Sequence, residues 1–201
     1  MYPVSSLVDI DGARLWRLCH SCASHTYGIR APSEEYTNQV ARLLFGTAMQ
    51  ESGGLKHNRQ MGYGWADHRG AFGLWQIELI SIRDSLEYLD RHVAVAARAS
   101  EWLWQNLDSP PDWYDDYRTI GGDDDHGPLL RLMCGWHRLN CLMARVHYLR
   151  RPEPVPYGPQ AHAAYWKQWY NSELGAGEPA DYIGNWVAYA VPVLRHLGVL
   201  R

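Results

Sequence analysis

Glu51, Asp67 and Glu78 enclose a stretch with Gly at 53, 54, 62, 64, 70 and 73. Val40, Leu44, Thr47, Ala48 and Glu51 recur at the three-to-four spacing that makes one face of a helix. Such an apolar stripe turns toward a core, so the carboxyl at its end is drawn into partial burial and its pKa rises. An acid that keeps its proton near neutrality can donate it to a leaving oxygen, while a second carboxylate handles water. That is the division of labour in glycosidic bond cleavage. Position alone also allows a plainly solvated Glu at a helix end, so the surrounding pattern has to decide.

The elements that must position these groups read as mostly helical. A short helix is expected over about Ala13 to Ser24. Ser33 offers an N-cap with Glu34 and Glu35 in the first turn, and the helix it starts should end at about Glu51, stopped by Gly53 and Gly54. Residues 53 to 76 read as a Gly-rich irregular segment or short hairpin. Further helical patterns run from Ser81 toward Leu107 with a break, from Pro128 through Leu149, over Ala161 to Asn171, and over Ala180 to Leu197, the last kinked at Pro192. No internal repeat or domain boundary is visible, and 201 residues suit one domain, residues 1 to 201.

The string from Glu51-Ser52-Gly53-Gly54 to Gly73-Leu74-Trp75-Gln76-Ile77-Glu78 resembles the goose-type lysozyme and lytic transglycosylase superfamily. That family's pattern is a helix-terminal Glu-Ser, a Gly-rich loop, then Gly-Leu-(Met or Trp)-Gln-(Ile or Val). The likeness covers residues 40 to 80. It implies a mainly α lysozyme-like fold, with a small Gly-rich loop or β-hairpin lobe flanking a cleft. It also implies Glu51 as general acid, with Asp67 and Glu78 positioning water. Ser52, Gly73, Trp75 and Gln76 would contact substrate. Tyr170-Asn171 resembles the Tyr-Asn element of lytic transglycosylases, with Tyr148 and Tyr165 competing for that role. The implied partner is peptidoglycan glycan strands, and the bond is the β-1,4 link from N-acetylmuramic acid to N-acetylglucosamine. The implied product is either a hydrolysed end or a 1,6-anhydro end. A third alternative is a phage structural or binding module with reduced or lost catalysis.

Other features bear on partners. Ten Trp and thirteen Tyr against two Phe favour rings with a polar handle, as wet, semi-polar grooves use. Trp65 and Trp75 are expected either to present rings to sugars or to plug a small core. His57 and His68 are given no chemistry. A formal charge of −3 argues against nucleic acid as a partner. The Arg131, Arg138 and Arg145 series, extended by Arg150 and Arg151, is expected as a charged helical face toward anionic glycan or another protein, or as plain solvated charge.

No apolar run is long enough for stable membrane insertion and no signal peptide is apparent. The expectation is synthesis in a bacterial host cytoplasm, and action on periplasmic peptidoglycan after holin-assisted release or within phage tail or core proteins. No cofactor and no catalytic metal are expected. Cys19, Cys22, Cys134 and Cys141 read as inert buried thiols, with a structural zinc or a disulfide as the alternatives.

Overall fold

The computed structural model describes residues 10–28, 30–58, 70–105, 127–171 and 175–200. Helix α1 (Gly12–His25) starts at Asp11, whose carboxylate accepts from Arg14 N at 2.8 Å. Helix α2 (Glu34–Glu51) starts where its Ser33 cap predicts, the hydroxyl accepting from Tyr36 N at 3.2 Å. It is the central helix of the fold: Val40, Leu43, Leu44, Phe45, Ala48 and Met49 are almost wholly removed from water. Gly46 lets a second helix lie against it, because a Cβ there would sit 2.1 Å from the Tyr182 hydroxyl.

A two-stranded antiparallel hairpin follows, β1 (Ala71–Phe72) with β2 (Ile77–Glu78), paired Ala71 to Glu78 and Phe72 to Ile77. Helices α3 (Leu79–Arg91) and α4 (Val93–Trp104) break at His92, whose ring stacks on Tyr88 at 3.9 Å and lies 2.7 Å from the Tyr88 carbonyl. The stretch expected as one helix from Pro128 is two, α5 (Gly127–Gly135) and α6 (His137–Leu149), because Trp136 adopts extended backbone. Helix α7 (Pro159–Trp166) runs on as a π-helical turn, Lys167–Asn171. Helices α8 (Pro179–Asn185) and α9 (Val191–His196) are joined by a second π turn, Trp186–Ala190. The second π turn accommodates Pro192: the chain widens just before the residue that has no N–H to give, and Val191 N bonds back to Trp186 O.

The fold is mainly α, and one apolar cluster extends from Leu15 on α1 to Leu194 on α9. Helix α6 lies in its interior, buried without interruption from Leu139 to Tyr148. This corrects the expectation of a charged face. The Arg145 guanidinium is buried and donates to Thr26 O at 3.0 Å, while Arg138 lies over the Trp102 ring at 4.5 Å. The Arg131 side chain lies outside the described residues. The four cysteines are buried thiols with no disulfide between them. Cys19, Cys22 and Cys141 interact with one another, and burial pushes all three thiols up, whereas Cys134 donates to Asn58 O at 3.2 Å. Among the described residues no metal-ligating group forms, and no helix is long and apolar enough to cross a membrane.

Candidate active site

The end of α2 places Glu51. Ser52 caps the helix, Gly53 and Gly54 take φ of 61° and 75°, and Gly54 N reaches back to Met49 O at 2.9 Å. This is the six-to-one bond that closes a helix through left-handed residues. A Cβ on Gly54 would stand 2.7 Å from the Tyr189 ring, so the turn needs Gly for space as well as for φ. The helix therefore stops with Glu51 in its last turn, half-buried.

Glu51 Oε1 accepts from the Trp166 indole N–H at 2.7 Å. Burial raises its pKa to about 7, and the indole bond, which favours the carboxylate, pulls against that rise. With Oε1 engaged by a donor, the proton of the neutral acid belongs on Oε2. Trp166 is itself fully buried, its ring 5.6 Å from that of Tyr182. The acid is thus held by a rigid indole in a position where both protonation states are populated near neutrality.

Glu51 opens on a groove of about 690 Å³. Its lining comprises Ala71, Gln76, Ile77 and Glu78 from the hairpin, Ser81 from α3, and His147 and Arg151 at the end of α6. Trp169, Tyr170 and Asn171 from the first π turn, with Gly175 and Ala176, complete it. The size lies within the range of small-molecule sites. Three consecutive residues of the π turn line this one groove. Lys167 braces that turn, donating to Asn171 Oδ1 at 3.2 Å and to Gly175 O at 2.8 Å.

Asn140 of α6 sets the hairpin. Its Oδ1 accepts from Trp75 N at 3.1 Å and its Nδ2 donates to Phe72 O at 3.3 Å. Gly73, with φ 73°, leaves room for it, since a Cβ would lie 2.2 Å from the amide. Gln76 follows at φ 46° and donates from Nε2 to Gly73 O at 2.6 Å, so its free end offers a carbonyl oxygen and one N–H. Glu78, at the end of β2, is exposed and lines the groove.

Of the residues expected at the site, Glu51, Glu78, Gln76 and Tyr170 share the groove. The Tyr170 hydroxyl donates to Trp75 O at 2.6 Å, and burial, helped by the charge of the nearby Glu51 carboxylate, pushes the phenol up. Tyr148 lies deeper, its hydroxyl 2.8 Å from Thr47 Oγ1, and Tyr165 donates to Glu153 O. Asp67 lies outside the described residues, as do Trp65 and His68.

Ser52 and Gly73 are corrected from substrate contacts to architecture, and Trp75 takes the core-plugging alternative of its two expected roles. Ser52 is fully buried, donating to Ala48 O and accepting from Leu55 N. Gly73 is buried against Asn140. The Trp75 ring is wholly buried, its indole N–H donating to Leu44 O at 2.8 Å, so it plugs the core beneath the hairpin.

The motif did not point to Trp166, His147, Arg151 and Trp169. The only signal for the two Trp was the chain's excess of polar-handled rings. His147 is 6% exposed and burial lowers its pKa to about 4, so it is neutral at physiological pH. Its Nε2 lies 2.8 Å from Trp169 O and 2.9 Å from Arg151 Nη2.

Comparison with family models, with curated proteins and with solved structures yields no match to this chain. Function therefore has to be argued from the groove and from the motif that lines it.

Proposed function

We propose that this chain is a peptidoglycan-cleaving glycosidase with a lysozyme-like fold, acting on the β-1,4 bond from N-acetylmuramic acid to N-acetylglucosamine. The observation that carries the reading is Glu51: a half-buried carboxyl with a pKa of about 7, fixed through one oxygen by Trp166, on the wall of a groove that also holds the exposed carboxylate of Glu78. Glu51 protonates the glycosidic oxygen as an oxocarbenium-like centre develops. Glu78, with Asp67, orients the attacking water. No step in this chemistry calls for a cofactor or metal. Delivery to the wall falls to phage partners, a holin or tail and core proteins.

A second reading, the lytic transglycosylase, draws support from Tyr170. The residue matched to the Tyr of that family's Tyr-Asn element lines the groove within electrostatic reach of Glu51. In that case the muramic acid C6 hydroxyl attacks in place of water.

Glu51→Gln keeps the acceptor for Trp166 but has no proton to give. It is expected to abolish clearing of purified cell walls while the circular dichroism spectrum stays unchanged. Clearing by the variant at the wild-type rate overturns Glu51 as the acid, and a wild-type protein that clears no wall leaves a structural or binding module. Mass spectrometry of the products separates the two reactions, because anhydro ends are one water lighter than reducing ends.

A further inference from the structure

We propose that Arg151 forms a carboxylate-recognising subsite at the α6 end of the groove, so that the preferred ligand is a sugar bearing a free carboxylate and not a neutral N-acetylhexosamine. This deepens the glycosidase reading and rests on it for the identity of the sugar.

The groove wall opposes two charges of different kind. Glu51 and Glu78 supply the acids; Arg151 is the only guanidinium among the described lining residues. Its neighbour Arg150 is already neutralised by Asp84 at 2.5 Å. Arg151 has no such partner: among the described residues no carboxylate lies within ion-pair distance of it. A guanidinium is costly to leave half-buried without an anion, and Arg151 Nε is buried with no acceptor.

The side chain is also held in place. Nη2 donates to Trp169 O at 3.0 Å and lies 2.9 Å from His147 Nε2, and the guanidinium carbon is 5.2 Å from the centre of the Trp169 ring. His147 is buried and neutral, so it adds no second positive charge, and its Nδ1 has no partner. The Trp169 indole N–H is likewise buried and unpaired. A fixed guanidinium on the groove wall, with no carboxylate among the described residues to neutralise it, matches the planar, two-oxygen acceptor of a carboxylate. In a murein strand that group is the lactyl carboxylate of muramic acid, or the stem-peptide carboxylate attached there. Chitin has neither.

The test measures binding, so that it does not depend on turnover. Glu51→Gln protein is titrated with N-acetylglucosaminyl-N-acetylmuramic acid and with N,N′-diacetylchitobiose, by NMR or calorimetry. The acidic disaccharide is expected to bind on the order of ten- to a hundredfold more tightly, a preference that weakens as salt is raised. Adding Arg151→Met should bring its affinity down to that of the neutral disaccharide. Adding Arg151→Lys should keep a smaller, salt-dependent preference, because the charge stays and the fork is lost.

Equal binding of the two sugars, or a preference indifferent to salt, overturns the proposal. So does a Met variant that loses both sugars together, since that marks Arg151 as a brace for the wall. If Met does not fold, the Lys variant and the salt series decide. A wild-type protein that discriminates between the sugars but never cleaves murein would sink the glycosidase reading alone; an active enzyme that does not discriminate would sink this inference alone.

Discussion

At the scale of the residue, Glu51 and Trp166 form the hydrogen-bonded pair on which the proposed chemistry turns. In the proposed reaction protonated Glu51 is the reactive form, so the rate should fall on the alkaline side with an apparent pKa near 7, set by burial. The indole N–H favours the carboxylate and holds that limb down. Trp166→Phe removes the donor while keeping a ring in the core. The alkaline limb is then expected to move up by about one pH unit, in a pH profile of wall clearing. A merely structural role for Trp166 would lower the whole profile without displacing it. Sequence spacing made the position of Glu51 legible, because an apolar helical stripe ending in Glu must carry that carboxyl toward the core. Trp166 was not legible: it is 115 residues away, and no local pattern says which of ten Trp will meet the acid.

At the scale of the element, the hairpin β1–β2 and the π turn Lys167–Asn171 bring Gln76, Glu78 and Tyr170 to one groove. The hairpin depends on the fit between Gly73 and Asn140. Gly73→Ala places a Cβ 2.2 Å from a buried amide at a φ that disfavours any side chain. The expected cost is about 2–4 kcal/mol in urea denaturation, with clearing lost in parallel as Glu78 leaves the groove. A cost within about 0.5 kcal/mol would show that the hairpin is not set this way. The Gly-rich segment announced a turn, and the helix stop after Glu51 followed from Gly53 and Gly54. That Gly73 and Trp75 serve packing and not substrate could not be read from the motif, since Gly-Leu-Trp-Gln describes types of residue and not which way they face. The π turns left no trace in the periodicity either, because one extra residue in a short helix changes which side chains share a face without changing composition.

For the whole molecule, the acid has a stability consequence. The Glu51 carboxyl has its ordinary pKa of 4.5 when unfolded and about 7 when folded, so the folded state binds more protons between those values. The stabilisation from keeping the group neutral is complete below pH 4.5 and is lost as pH rises through 7. The loss is on the order of 3 kcal/mol. Glu51→Gln carries no such penalty. Its melting temperature should match wild type near pH 4 and exceed it at pH 8, by differential scanning calorimetry. Equal shifts at both pH values would mean that the carboxyl is not desolvated as described. Under the proposed function this is a trade between stability and activity: the burial that raises the Glu51 pKa weakens the fold at alkaline pH.

The amino-acid sequence by itself determined the mainly helical class, the start of α2 at Ser33 and its end at Glu51. These rest on caps, turns and a stripe of side chains within a few residues of one another, where local sterics and hydrogen bonding decide. It also made a proton donor out of Glu51 in prospect, by placing a carboxyl on an apolar face. Only the tertiary structure decided how that donor is held and what surrounds it. The indole on Glu51, the burial of α6 with Arg145, the retreat of Ser52, Gly73 and Trp75 into the core, and the placing of Arg151 on the groove that Glu51 and Glu78 also line all join segments far apart in the chain. Which side chain fills a space, and which is left facing a groove, depends on the joint packing of α2, α6, the hairpin and the π turn, and no local spacing encodes it.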